Sequence, residues 1–355
     1  MKCYNLEANK TTMKNQLLIL VLTLFGSVLF GQAIINVNNT SSGVTAQYTT
    51  LAAAVAGAAE GDIIYLYPSS TSYGSATINK KLTIIGPGYY VQQNPSLQIN
   101  TYVSNGVVDG LTFTAGSNGT LVTGVDINTI VMNGQANIAI TRCKLRVYCN
   151  LDNTNNILFE GCYFEWGGNP NFPYAINANA NNNGLIIRNN IFSVAKSNSS
   201  YYDVVIQPSC TSIVENNVFR WYNYFQNSIV RNNIFLNNVT NVISNGSGNS
   251  YLNNILAGNQ TGLGATNIIA VPEATICEGY PTQGNRSFDD RYMLKAGSPA
   301  IGAGIGGIDC GVFAGATPYK LSGIPFVPLI YQVNAPPTGN AASGIDINVK
   351  IRANN

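Results

Sequence analysis

The sequence predicts an all-β chain, a solenoid of stacked parallel coils closed at its start by a short helix. Three observations predict it. The phrase LIIRNNIF at 185–192 returns as SIVENNVF at 212–219 and SIVRNNIF at 228–235, so the chain repeats itself internally. Corresponding positions hold β-branched and aromatic residues, which suit strands rather than helical repeats. Of 355 residues, 35 are glycine and 49 asparagine, the types that tolerate the left-handed backbone of tight corners.

The N-terminus reads as a secretory signal peptide over residues 1–33. Lys10 and Lys14 precede the apolar run from Leu17 to Phe30, and Gly31-Gln32-Ala33 supplies small residues at its exit. Met13 is a second candidate start, which would leave residues 1–12 upstream of it. The run is shorter than the roughly 20 residues of a spanning helix, so no transmembrane span is expected in the mature chain. The expectation is export, to the cell surface, the medium or a periplasm.

Next comes YTTLAAAVAGAA (48–59), which suits a short amphipathic helix covering the open end of a stack, where strand edges and apolar surface would otherwise be bare. Beyond it the repeat can be aligned on the last residue of each unit: Phe113, Ile130, Leu145, Phe164, Phe192, Phe219, Phe235 and Leu256. Five residues earlier stand Val108, Val125, Ile140, Phe159, Ile187, Val214, Val230 and Tyr251, an inward-facing column. Two residues before the anchor stand Leu111, Asn128, Cys143, Cys162, Asn190, Asn217, Asn233 and Asn254. Asn128, Asn190, Asn217, Asn233 and Asn254 are therefore expected to turn each corner and to hydrogen-bond one another up the stack. Cys143 and Cys162 share that column at about one strand spacing, which fits either a disulfide or two free thiols used as apolar filler.

Four residues before the anchor the column reads Asp109, Asp126, Thr141, Glu160, Arg188, Glu215, Arg231 and Leu252. From Glu160 to Arg231 the sign alternates, as expected of a structural ladder that fixes register and keeps like charges apart.

With these columns, the opening YTTLAAAVAGAAEGDIIYLYPSS, the stretch KLTIIGPG and the later YMLKAGSPAIGAGIGGIDCGVFAG, the chain resembles the right-handed parallel β-helix proteins of the pectate-lyase-like superfamily, over about residues 34–313. The resemblance implies a β-helix domain with its caps at 34–315. The remainder, 316–355, reads as a Pro-rich extension with a strand-like tail, GIDINVKIRANN.

Within that superfamily the resemblance extends to polysaccharide lyases and hydrolases, but their signatures are missing. There is no histidine, so no Gly-His-Gly stretch, and Gln-Asp-Thr-Leu, WxDH and RxPxxR are also absent. Glu165, Lys196, Asp203 and Arg220 are the weak catalytic candidates that remain. No metal site and no cofactor are expected. A net charge of +2 with 10% charged residues offers no concentrated basic face, so no nucleic-acid partner is expected either.

The two longest insertions, after Phe164 and Phe192, together with RWYNYFQN after Phe219, should lie side by side on one flank. They carry Trp166, Tyr174, Tyr201, Tyr202, Trp221, Tyr222 and Tyr224, rings suited to the apolar faces of sugars. The functional expectation is an exported, non-catalytic protein that binds polysaccharide or cell-surface glycan along a rigid rod. The alternatives are a lyase or glycoside hydrolase with an atypical site, and an assembly component that docks a partner through its C-terminal tail.

Overall fold

A computed structural model describes residues 31–40, 45–94, 97, 106–165, 171, 173–193, 200–339, 342 and 344–352. Residues 1–30 of the segment read as a signal peptide, and the candidates Trp166 and Lys196, lie outside the described residues. Among the described residues no helix is long and apolar enough to cross a membrane.

The chain is all-β and mainly parallel, with two sheets of ten and thirteen strands and one α-helix among the described residues, an arrangement compatible with a parallel β-helix. The helix, Leu51–Gly57, starts where the Thr50 hydroxyl accepts the Ala53 N–H at 3.3 Å. Its Leu51, Ala54 and Val55 form one buried face at helical spacing, packed near strands Ile34–Val37 and Ser75–Ile78.

Each pass of the chain adds one strand to the ten-stranded sheet, in sequence order from Ile34–Val37 to Ser250–Leu252. The thirteen-stranded sheet begins with Ser75–Ile78, continues through the long strands Val107–Phe113, Asp126–Asn133 and Lys144–Asp152, and then forks. Tyr163–Phe164 pairs with the start of Lys144–Asp152, and Tyr174–Ala178 pairs with its end. From there one branch carries the two-residue strands Ile191–Phe192, Val218–Phe219, Ile234–Phe235 and Ile255–Leu256. The other carries Tyr202–Ile206, Tyr222–Phe225 and Ile243–Asn245. The long insertions are thus not loops alone: each contains a β-branched or aromatic strand of its own, YAINA or YDVVI.

The fork explains the wording of the repeat. In Asn-Asn-Ile-Phe the first asparagine is left-handed, as seen at Asn189, Asn216, Asn232 and Asn253 with φ of 53° to 56°. The second asparagine is buried and bonds its equivalents. The next residue faces outward and the last faces inward. Inward, Phe164, Phe192, Phe219 and Phe235 stack with centroids 4.3, 4.8 and 4.9 Å apart. Outward, Tyr163, Ile191, Val218, Ile234 and Ile255 enter a second core. Both residues are apolar because both faces of this branch are covered.

The cover is the C-terminal segment. Val271, Ile276, Tyr292, Ala300, Val312 and Tyr319 build that second core, and the chain passes the left-handed corners in reverse order. Asn253 donates to Ala303 O, Asn232 accepts from Ile305 N, Asn189 donates to Val312 O and Ala314 O, and Arg142 donates to Ile324 O. This strap runs on past residue 315. Beyond it Leu329–Asn334 pairs antiparallel with Asn348–Arg352, a hairpin with Val333, Ile347 and Val349 exposed.

Two anchors are out of register. Phe113 pairs with Met132 and Ile130 with Cys149, whereas the partners of Leu145 are Ile127 and, through it, Val108. The long strands and the irregularity between Ile127 and Thr129 place several inward apolar residues per pass, so an alignment by apolar spacing slips along them.

Candidate functional site

The tyrosines divide by face. Tyr174, Tyr202 and Tyr222 stand opposite one another on three successive strands, with ring centroids 6.3 and 6.5 Å apart. All three are half-buried and precede or alternate with buried residues, which puts the rings on the outer face of the branch. Trp221 packs edge-on against Tyr222 at 5.4 Å. Tyr224 lies one outward position further along and accepts a hydrogen bond from the Gln226 amide. Tyr201, by contrast, packs against the inner core.

Asp203 sits where the register shifts between Tyr202 and Val204, and it is buried. Its carboxylate accepts the backbone N–H of Trp221 at 2.9 Å and of Arg220 at 3.2 Å, so it shapes the turn that carries Trp221. Glu165 pairs with Lys144 Nζ at 2.6 Å and accepts from the Tyr90 hydroxyl, while Lys144 lies 4.3 Å over the Tyr90 ring. Glu165 and Asp203 are thus each held by different partners, Glu165 by Lys144 and Tyr90 and Asp203 by the backbone of residues 220 and 221. Arg220 points the other way. Its guanidinium stacks 4.9 Å over Tyr280 and donates to Ser193 O, beneath the strap. Burial opposes its charge, but Tyr292 and Tyr280 outweigh burial and hold its pKa above the ordinary guanidinium value, which makes it unsuited to act as a base.

The asparagine row has five rungs. Asn190 donates its backbone and side-chain N–H to Asn217 Oδ1, Asn217 does the same to Asn233, Asn233 to Asn254, and Asn254 to Asn267, all at 2.8–3.0 Å. Each Nδ2 also donates to a backbone carbonyl, such as Ile187 O for Asn217 and Val214 O for Asn233. Asn128 is not a rung: it lies half-exposed within strand Asp126–Asn133 and reaches Asp109 at 3.4 Å. Asn267 had one legible signal, the phrase TNII, a truncated form of the repeat.

Cys143 and Cys162 are free, and so are the other described cysteines. Cys143 Sγ donates to Thr141 O and Cys162 Sγ to Ile140 O; burial pushes the Cys143 thiol up to about 12. They are filler, not nucleophiles. Among the described residues no group of three or more His, Cys, Asp or Glu is placed to hold a metal ion.

The charged column stands on the ten-stranded sheet, where Glu160 faces Arg188, Arg188 faces Glu215 and Glu215 faces Arg231. The contacts are uneven. Arg188 pairs with Glu160, and Arg231 pairs with Glu215 at 2.7 Å, but no ion pair joins Arg188 to Glu215. Asp109 and Asp126 belong elsewhere: Asp126 pairs in register with Lys144 and holds Arg146 through bonds of 2.5 and 2.7 Å. Arg188→Glu would set three carboxylates in a row. The expected loss is about 1–2 kcal/mol, one partly exposed pair plus the repulsion replacing it, read from the shift of a urea midpoint.

A comparison with protein-family models finds no match, and no curated protein matches the sequence.

Proposed function

We propose that the two sheets form a right-handed parallel β-helix of the pectate-lyase-like kind, and that the exported chain binds polysaccharide without cleaving it. The observation that carries this reading is the outward row Tyr174–Tyr202–Tyr222, with Trp221 packed at one end. Three aromatic rings on a fixed backbone give an extended chain of sugars repeated apolar platforms, and little is ordered on binding. Export rests on the charged, apolar and small-residue order of residues 10–33. The catalytic alternative is weaker because Glu165, Asp203 and Arg220 are each already engaged, with Lys144, the Trp221 backbone and Tyr280 respectively. The docking alternative draws on the exposed apolar residues of the terminal hairpin.

The test is Tyr202→Ala, measured on a panel of plant, algal and bacterial polysaccharides. The expected result is an affinity lowered about tenfold or more, ~1.4 kcal/mol, with an unchanged melting temperature and no new reducing or unsaturated ends. Binding that ignores the substitution would retire the tyrosine row, and released sugar would replace binding with catalysis.

A further inference from the structure

A cavity lies on another face from the tyrosines. It measures about 300 Å³ and lies where the strap crosses the charged column, lined by Arg188, Glu215, Arg231 and the three corner asparagines below and by Ile305, Ile308, Ala316 and Thr317 above. It opens at the one step of the column that no ion pair closes, between Arg188 and Glu215. Among the described residues, the Arg188 Nη groups and Glu215 Oε1 find no hydrogen-bond partner, and neither do Asn216 Oδ1 and Asn232 Nδ2, although both asparagines are more than nine-tenths buried.

We propose that this cavity is a second binding site, and that its ligand is a single neutral sugar residue. The inference does not rest on the tyrosine row. The lining itself carries two arginines and one glutamate, but Arg188 is paired with Glu160 just outside the lining and Arg231 with Glu215, so each guanidinium already has its carboxylate and the column favours neither an anion nor a cation. What the cavity leaves open is a set of donors beside a set of acceptors, close together and fixed to the backbone. Hydroxyl groups satisfy both kinds at once, because each donates one bond and accepts others. Asn216 and Asn232 add neutral partners, which hydrogen-bond a hydroxyl but offer an ionic ligand no charge compensation. Ile305 and Ile308 are among the exposed large apolar residues, and at the cavity rim they supply a surface for the C–H face of a ring. The volume stands at the lower end of small-ligand sites, enough for one ring and not for a chain.

The mature full-length chain is titrated calorimetrically with D-galactose and D-mannose, and with glycine and D-galacturonate as zwitterionic and anionic probes. A neutral sugar is expected to bind at one site with a dissociation constant of about 1 mM or tighter. Ala316→Trp, on the exposed strap, should fill the cavity and abolish that binding. Arg188→Lys should weaken it about tenfold, because lysine keeps the charge beside Glu160 but loses the planar fork of donors. Both variants should melt as the parent does, and Tyr202→Ala should bind the monosaccharide unchanged. The proposal is overturned if neither neutral sugar binds saturably, if binding survives Ala316→Trp, or if glycine or galacturonate binds more tightly than the neutral sugars.

Discussion

Asn217→Ala is expected to destabilise the protein by about 3–5 kcal/mol, more than any single surface change in the chain. Asn217 is fully buried and makes four side-chain bonds, two accepted from Asn190 and two donated, to Ile187 O and Asn233 Oδ1. Alanine removes all four. The Asn190 backbone N–H has no other hydrogen-bond acceptor, so it is left buried and unpaired at a cost of about 1–3 kcal/mol. The remaining bonds contribute about 1 kcal/mol each, and the vacated volume adds to the loss. Asn217→Asp separates bonding from volume. It keeps the size but turns a carboxylate oxygen toward Asn233 Oδ1 and Ile187 O, so a comparable loss identifies hydrogen bonding as the cause. Asn128→Ala is the control, because Asn128 makes one long, exposed contact and should change stability by less than about 0.5 kcal/mol. Urea unfolding of the three variants measures all of this, and an Asn217→Ala midpoint near the parent's would show that the row does not carry stability.

The row also shows what the sequence made legible. From Leu145 onward the inward anchors, the earlier apolar column and the charged column coincide with residues that pair in register. From Phe164 each pass has a one-residue left-handed corner and a two-residue strand, so the spacing within the motif is constant, and Leu145 shares the register because it stands at the start of its long strand. Upstream that condition fails: strands seven to nine residues long cross the position without a break, and Phe113, Ile130, Asn128, Asp109 and Asp126 fell out of place for that reason. The strap was illegible for a different reason. Its side chains fill gaps set by the stack, at intervals with no period of their own, so its role beside Asn189 and Asn232 appears only in three dimensions. The surroundings of the candidate acids were illegible in the same way, since no pattern in the chain announces that Asp203 bonds the backbone of residues 220 and 221.

The strap has its own keystone, and Asp289→Ala is expected to cost about 3 kcal/mol. Asp289 is buried and accepts from four donors: Asn94 Nδ2 at 3.0 Å, Ser287 Oγ at 2.9 Å, the Tyr319 hydroxyl at 3.3 Å and Ser322 N–H at 2.6 Å. These come from the loop after Tyr89 and from two parts of the strap, so one carboxylate joins three segments. Alanine leaves the Ser322 N–H buried and unpaired, and two hydroxyls must find new acceptors. Asp289→Asn should be milder, within about 1 kcal/mol, because its oxygen still accepts from Ser322 and its amide N–H can donate to a flipped Asn94. The two substitutions also separate charge from hydrogen bonding. Burial raises the Asp289 pKa above the ordinary carboxylate value, against the opposing effect of Asn94, Ser322 and Ser287. A raised native pKa means that the folded state holds the proton more tightly than the unfolded state. The associated stability is full below the unfolded pKa and is lost as pH rises through the native one. The parent should therefore lose stability relative to Asp289→Asn across that interval, and the difference between them should be constant above it. Melting temperatures from pH 3 to 8 test this, and a parent that gains on Asp289→Asn as pH rises would mean that the four donors outweigh burial.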